Sequence, residues 1–143
     1  MSFLQVVIRE VDQFRQVEKD VQEGTIESLS HAGGAIRKSA MQSIKNRIGK
    51  PGTNPSPSGT PPRTTRGQLR SSIFYSVDEA DVFGGDSTVF IGPSERKMEG
   101  IGELHEFGGR FRKARYPERP YMRPALERIR PRLPDYWQDT IVI

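Results

Sequence analysis

Nineteen residues at positions 49–67, GKPGTNPSPSGTPPRTTRG, hold five prolines and four glycines and leave no room for a helix or a ladder. Whatever precedes them must close its secondary structure by about residue 48, and whatever follows must begin afresh. A structureless stretch this long inside a compact domain is usually functional or mobile. Here it reads as an extended arm at about 49–67 that drapes over a neighbouring subunit. The chain of 143 residues suits one domain, 1–143, with a real core but no second one.

On the N-terminal side of the arm, FLQVVI (3–8) is β-branched and apolar enough to predict a short first strand. From about Asp12 the pattern turns helical. Ile26, Leu29, Gly33, Ile36, Ala40, Ile44 and Ile48 recur at steps of three and four, which places them on one face. Arg37, Lys38, Lys45 and Arg47 fall mostly off that stripe. Gly33-Gly34 inside the helix costs about 1 kcal/mol per glycine against alanine, which marks either a kink or the close approach of another backbone.

After the arm, LRSSIFYSV (69–77) alternates Leu69, Ser71, Ile73, Tyr75 and Val77 against Arg70, Ser72, Phe74 and Ser76, a half-buried strand pattern. STVFIG (87–92) is the next strand, with a hairpin-type connection at Gly84-Gly85. GIGELHEFGG offers a short helix that ends at Gly108-Gly109, where glycine can take a left-handed cap conformation. FRKARY is a third strand, and Pro117 and Pro120 bracket a rigid turn. Arg123-Pro124 opens a last helix with Pro124 at its first position, and Pro131 and Pro134 kink or stop it. The expected fold class is α+β: a long N-terminal helix on a small, mainly antiparallel sheet, with a short middle helix and a C-terminal helix.

The formal charge of +4 conceals strong segregation. Ser28 to Val77 contains no acidic residue but eight basic ones, and Arg110 to Arg132 sets nine basic residues against Glu118 and Glu127. Asp78, Glu79, Asp81 and Asp86 cluster between these blocks. Such alternation can steer nucleic acid or let a basic face meet an acidic loop on a neighbour. A hydrophobic fraction of 34% and a mean hydropathy of -0.64 give a lean core, which suits a chain with subunit neighbours. No apolar run reaches the roughly 20 residues of a membrane span, and FLQVVI lacks the basic flank and cleavage site of a signal peptide.

With no cysteine, disulfides, thiolate metal sites and cysteine nucleophiles are excluded. His105-Glu106 suggests a zinc motif, but position 109 is glycine and the other histidine is His31. No G-x-S-x-G, P-loop or G-x-G-x-x-G pattern is present, so no catalytic, metal or cofactor-binding residue and no cofactor is assigned. Phe111, Tyr116 and Tyr121 among the arginines could serve nucleic-acid binding, although no helix-turn-helix, RNP or zinc-finger pattern appears. An assembly protein accounts for more at once: an arm, strand edges and complementary charge.

GTPPRTTRGQLRSSI (59–73), then VFIGP, then LHEFGGRFRKARYPERPYMRPALE (104–127) resemble the tail-completion or head–tail joining proteins of long-tailed bacteriophages, over roughly residues 30 to 135. Gly67, Leu69 and Ile73 match the family's approach to a hairpin; Glu106, Phe107 and Gly108 match its E-F-G element. Arg119, Pro120, Tyr121, Pro124, Ala125 and Leu126 match its last motif, and the tail YWQDTIVI lies outside the pattern. The resemblance implies a non-enzymatic virion part, made in the host cytoplasm. It would form a sixfold or twelvefold ring at the neck, between the portal-side connector and the tail tube or tail terminator, near packaged DNA and without a membrane. Phe107 and Tyr121 are then expected as core anchors, Gly108 as a conformational necessity, and Pro120 and Pro124 as guides into the last helix. Arg63, Arg66 and Arg70 would be charged contacts of the arm, with Arg110, Arg112 and Arg115 further partner contacts. The alternative is a nucleic-acid-binding accessory protein that uses the basic helix and the arginine-rich segment.

Overall fold

The computed structural model describes residues 3–50, 53–78, 88–98 and 100–137, with the stretch of the first helix up to residue 22 described by its backbone alone. The fold is α+β. Helix α1 (Phe3–Ser43) is followed by β1 (Lys45–Asn46), β2 (Arg63–Thr64), α2 (Gln68–Ser72), β3 (Ile73–Asp78) and β4 (Thr88–Pro93). Then come α3 (Glu95–Met98), α4 (Ile101–Phe107), β5 (Gly109–Phe111), β6 (Ala114–Tyr116), α5 (Met122–Ile129) and a 3-10 segment (Arg130–Trp137).

The 41 residues of α1 make a rod about 60 Å long. The strand expected at 3–8 is instead its first turns. Phe3, Val7, Val11, Phe14 and Val21 repeat at helical spacing, and that longer period outweighs the local β-branched composition. Within the helix, Ala32, Ile36 and Ala40 are buried, and Ile44 is buried just past its end. Ile48 continues the arithmetic of the stripe but is 81% exposed, because α1 stops at Ser43 and the phase is lost.

α1 is the axle of the domain, packed by the β3–β4 hairpin and by α5 with the 3-10 segment. The core joins Ile36, Ala40 and Ile44 to Leu69, Ile73, Tyr121, Ala125 and Ile129. Each large aliphatic buried there contributes about 1.5–3 kcal/mol of transfer free energy, so a core this small depends on accurate fitting. Gly33 supplies one such fit. A Cβ there would stand 2.8 Å from Tyr75 Cδ2 and 2.8 Å from Val89 Cγ2, so the helix approaches the hairpin's side chains where it has none of its own. Buried Ser28 links α1 to the 3-10 segment, its Oγ 2.8 Å from both Gly24 O and Tyr136 O.

Strands β3 and β4 pair antiparallel from Ile73↔Pro93 to Asp78↔Thr88. Leu69 to Ser72, expected as part of this strand, form α2 instead. Gly67 precedes α2 in a left-handed conformation (φ 73°), and Ser72 Oγ donates to Leu69 O at 2.7 Å. FRKARY is likewise two strands rather than one: β5 and β6 pair antiparallel around a two-residue turn at Arg112-Lys113, with Arg112 at φ 56°. The 49–67 stretch yields one parallel bridge, Lys45↔Arg63 and Asn46↔Thr64, at a point free of proline. Pro124 stands third in α5, where an N–H would still lack a helical partner, so its missing donor costs nothing. The connection at 79–87 lies outside the described residues.

Candidate assembly surface

Residues 104–127 fold into one corner. α4 ends when Gly108 N donates to Leu104 O at 2.8 Å, and Gly108 takes φ 69°, ψ -177°, a region open in practice to glycine alone. Its missing Cβ also makes room: a Cβ would lie 2.8 Å from Glu118 N and 3.0 Å from Tyr116 O. The chain then runs out along β5, back along β6 and across 117–120 to α5.

Glu106 closes the corner. Its Oε2 accepts the N–H of Tyr121 at 2.8 Å and of Met122 at 2.9 Å, and its Oε1 accepts that of Arg123 at 2.9 Å. The next residue is Pro124, which has no N–H. The first turn of α5 therefore has no unsatisfied donor, and the carboxylate sits at the positive end of the helix. Tyr121 is fully buried, its hydroxyl donating to Gly102 O at 3.2 Å. Burial first, then Glu106 and Glu103, push its phenol well above the usual tyrosine range. Gly102 is equally confined: a Cβ there would collide with the Pro93 ring. Ala125 is buried and Leu126 is half-buried against the core, as are Pro120 and Pro124 in the corner.

Of the two expected core anchors, Tyr121 is one and Phe107 is not, being 67% exposed. α4 points Phe107 outward, into a shallow depression shared with Leu104, Gly109, Arg110 and Phe111. From this corner the β5–β6 hairpin projects with every residue exposed. Arg110 pairs directly with Arg115, two like charges across the ladder, and the Arg112 guanidinium lies 5.4 Å from the Phe111 ring centroid. Like charges directly opposite one another destabilise a strand pair, and a hairpin of this size has little stability of its own.

The remaining predicted contacts are dispersed. Arg63 is exposed, its Nη1 donating to Asn54 O at 3.1 Å, and Arg66 is exposed as well. Arg70 turns inward: Nε donates to Ile44 O at 3.1 Å and Nη2 reaches both Ile44 O and Asn46 Oδ1, so it caps the end of α1. Much of the 53–64 stretch serves its own subunit. Gly59 N donates to Glu118 O at 3.0 Å, Arg119 Nε donates to Ser56 O at 2.8 Å, and Pro62 is fully buried.

Sequence reasoning missed a second exposed surface. Strand alternation puts Phe74 and Phe90 on the side of β3–β4 away from α1, where they are 46% and 61% exposed. The alternation already separated Phe74 from Ile73 and Tyr75; the register added Phe90.

His105 sits inside the corner, and its carbonyl accepts Arg119 N at 2.5 Å. Burial, then the charges of Arg119 and Arg47, hold its imidazole below the ordinary value. No group of three or more His, Cys, Asp or Glu side chains able to hold a metal occurs among the described residues, and no described helix is long and apolar enough to cross a membrane. No protein-family profile, curated protein or solved structure matches this chain.

Proposed function

We propose that this chain is a structural subunit of a tailed-phage particle that closes into a ring at the head–tail neck and joins the finished tail to the head. The observation that carries this reading is the mounting of the β5–β6 hairpin. Glu106, Gly108 and Tyr121 lock its base, while the hairpin holds Arg110, Arg112 and Arg115 in solvent beside Phe107 and Phe111. Charge that opposes itself within one subunit is relieved by an acidic neighbour, and exposed aromatics on a rigid base are the usual anchors of a protein interface. In this reading the subunit's partners are copies of itself, the portal-side connector and the tail tube or tail terminator, and the work done is assembly without catalysis.

The test is complementation. Particles that lack the chain are supplied with the wild type or with Arg110→Glu/Arg115→Glu, after circular dichroism and urea unfolding have shown that the variant is folded. The expected result is joined particles with the wild type, with the chain located at the neck by imaging. The charge-reversed variant should leave separate heads and tails. Normal joining by the variant, or a wild-type chain found away from the neck, would overturn the reading.

A further inference from the structure

Two open grooves flank the C-terminal half of α1, and among the described residues that line them there is no carboxylate. The first, about 890 Å³, is lined by Arg37, Lys38, Lys45 and Arg70 around Met41. The second, about 670 Å³, is lined by Lys38, Lys45, Arg128 and Arg132, with Tyr136 at one side. Lys38, Gln42 and Lys45 belong to both, so they form a ridge between the grooves and the six cations make one continuous surface. Among the described residues, none of the six is in an ion pair with a carboxylate. Arg37, Arg70 and Arg128 are held in place by hydrogen bonds to Ile73 O, Ile44 O and Ser39, whereas the Lys38 and Lys45 side chains are exposed and form no hydrogen bond among the described residues.

We propose that this double groove binds the phosphate backbone of a double-stranded nucleic acid, without reading its sequence. Three observations select that partner. Fixed arginines beside free lysines, with no acid among them, form a positive field that an extended polyanion can follow. Protein interfaces need an apolar centre, but in these grooves Ile44 and Ile129 are buried and Met41 and Ala35 half-buried, so no apolar side chain among the described lining residues is fully exposed. Single strands need free aromatic faces on which bases stack. The one aromatic among the described lining residues, Tyr136, already stacks on His31 with ring centroids 6.4 Å apart, and Phe74, Phe90, Phe107 and Phe111 line neither groove. The proposal stands on the grooves alone and does not require the neck reading.

The experiment measures binding of the purified full chain to a labelled DNA duplex of random sequence by fluorescence anisotropy, between about 50 and 200 mM sodium chloride. Each phosphate neutralised adds about 0.9 to the slope of log affinity against log salt. Lys38→Gln/Lys45→Gln, its fold checked by circular dichroism, is therefore expected to lower the slope by about 2 and to weaken duplexes of different sequence alike. An Arg110→Gln/Arg115→Gln variant is expected to leave the slope unchanged, and polyglutamate of equal charge is expected to displace the labelled duplex less well than unlabelled duplex does. No duplex binding at the lowest salt would overturn the proposal, as would an unchanged slope in the lysine variant. Loss of slope in the hairpin variant would place the contact elsewhere, and polyglutamate that competes as well as unlabelled duplex would point to an acidic protein instead; either result also overturns it.

Discussion

The Glu106 carboxylate accepts the backbone N–H of Arg123 at 2.9 Å, across 17 residues of sequence and from a different helix. Together with its bonds to Tyr121 N and Met122 N, this makes Glu106 the cap of a helix whose own N-cap side chain makes no capping bond. The E-F-G element and the R-P-Y-M-R-P element are thus two halves of one device, with proline completing it by lacking a donor. Glu106→Ala should cost about 3 kcal/mol, since it removes three charge-assisted bonds from a partly buried helix end. Glu106→Gln keeps one acceptor and should cost about half as much. Urea unfolding checks both values, and a loss below about 1 kcal/mol for alanine would refute the capping role.

Gly108 tests the other side of the corner. Alanine there meets a φ/ψ region that L-residues avoid and backbone atoms at 2.8 and 3.0 Å that cannot rotate aside. The expected cost is about 3 kcal/mol or more. Gly67 has a similar φ of 73° but open space around it, so Gly67→Ala should cost only about 1 kcal/mol. Equal losses at the two sites, by urea or thermal unfolding, would mean that the contact with Glu118 and Tyr116 is immaterial.

The adjacent glycines of α1 should respond with opposite signs. In a helix interior, glycine to alanine gains about 1 kcal/mol in propensity. At Gly34 the new Cβ finds only Tyr75 Cε1 at 3.8 Å, an ordinary contact, so the gain should appear as a higher unfolding midpoint. At Gly33 it drives into Tyr75 and Val89 at 2.8 Å, and overpacking of about 1–3 kcal/mol should cancel or reverse the gain. A stabilised Gly33→Ala would show that the hairpin yields easily.

These contrasts mark what the sequence made legible. Helical periodicity located Ile36, Ala40 and Ile44, and strand alternation located Ile73, because burial follows a period that the chain itself displays. The glycine that turns the chain at 108 was legible for the same local reason. Periodicity cannot report where a helix stops, so Ile48 was carried one step too far. Gly67 starts a helical turn at 68–72, yet LRSS also alternates like a strand, and only Ser72's bond to Leu69 O and the placement of β4 decide between them. Phe107 shows the limit for single residues: the resemblance of its motif implied an anchor, and only α4's orientation turns it outward. Glu106's role depends on a contact 15 to 17 residues away, which spacing does not encode.

Arg70 separates assembly from stability. Nε and Nη2 both serve Ile44 O, and Ile44 is fully buried, so Arg70→Ala strands a carbonyl at the end of α1. The expected loss is about 1–3 kcal/mol, with Arg70→Lys recovering part of it. Arg63→Ala and Arg66→Ala, at exposed positions, should change stability by less than about 0.5 kcal/mol. If all three behave alike in urea, the inward turn of Arg70 contributes nothing to the fold.

His105 gives the fold a defined response to acid. Burial first, then Arg119 and Arg47, lower its value in the folded protein from the ordinary 6.5. The unfolded chain therefore takes up a proton near pH 6.5, while the folded chain does so only at lower pH. Between those two points the unfolded state binds more protons, so stability falls as the pH drops through the window. Above it, His105 is neutral in both states and contributes no pH dependence. His105→Gln should remove this component, so the wild-type stability relative to the variant should be flat above about pH 7.5 and decline below pH 6.5. Arg47→Gln should raise the His105 titration midpoint by removing one of the opposing charges. An NMR midpoint for His105 above 6.5, or a wild-type advantage that grows on acidification, would show that the imidazole is stabilised in its charged form and that the corner is wetter than its geometry indicates.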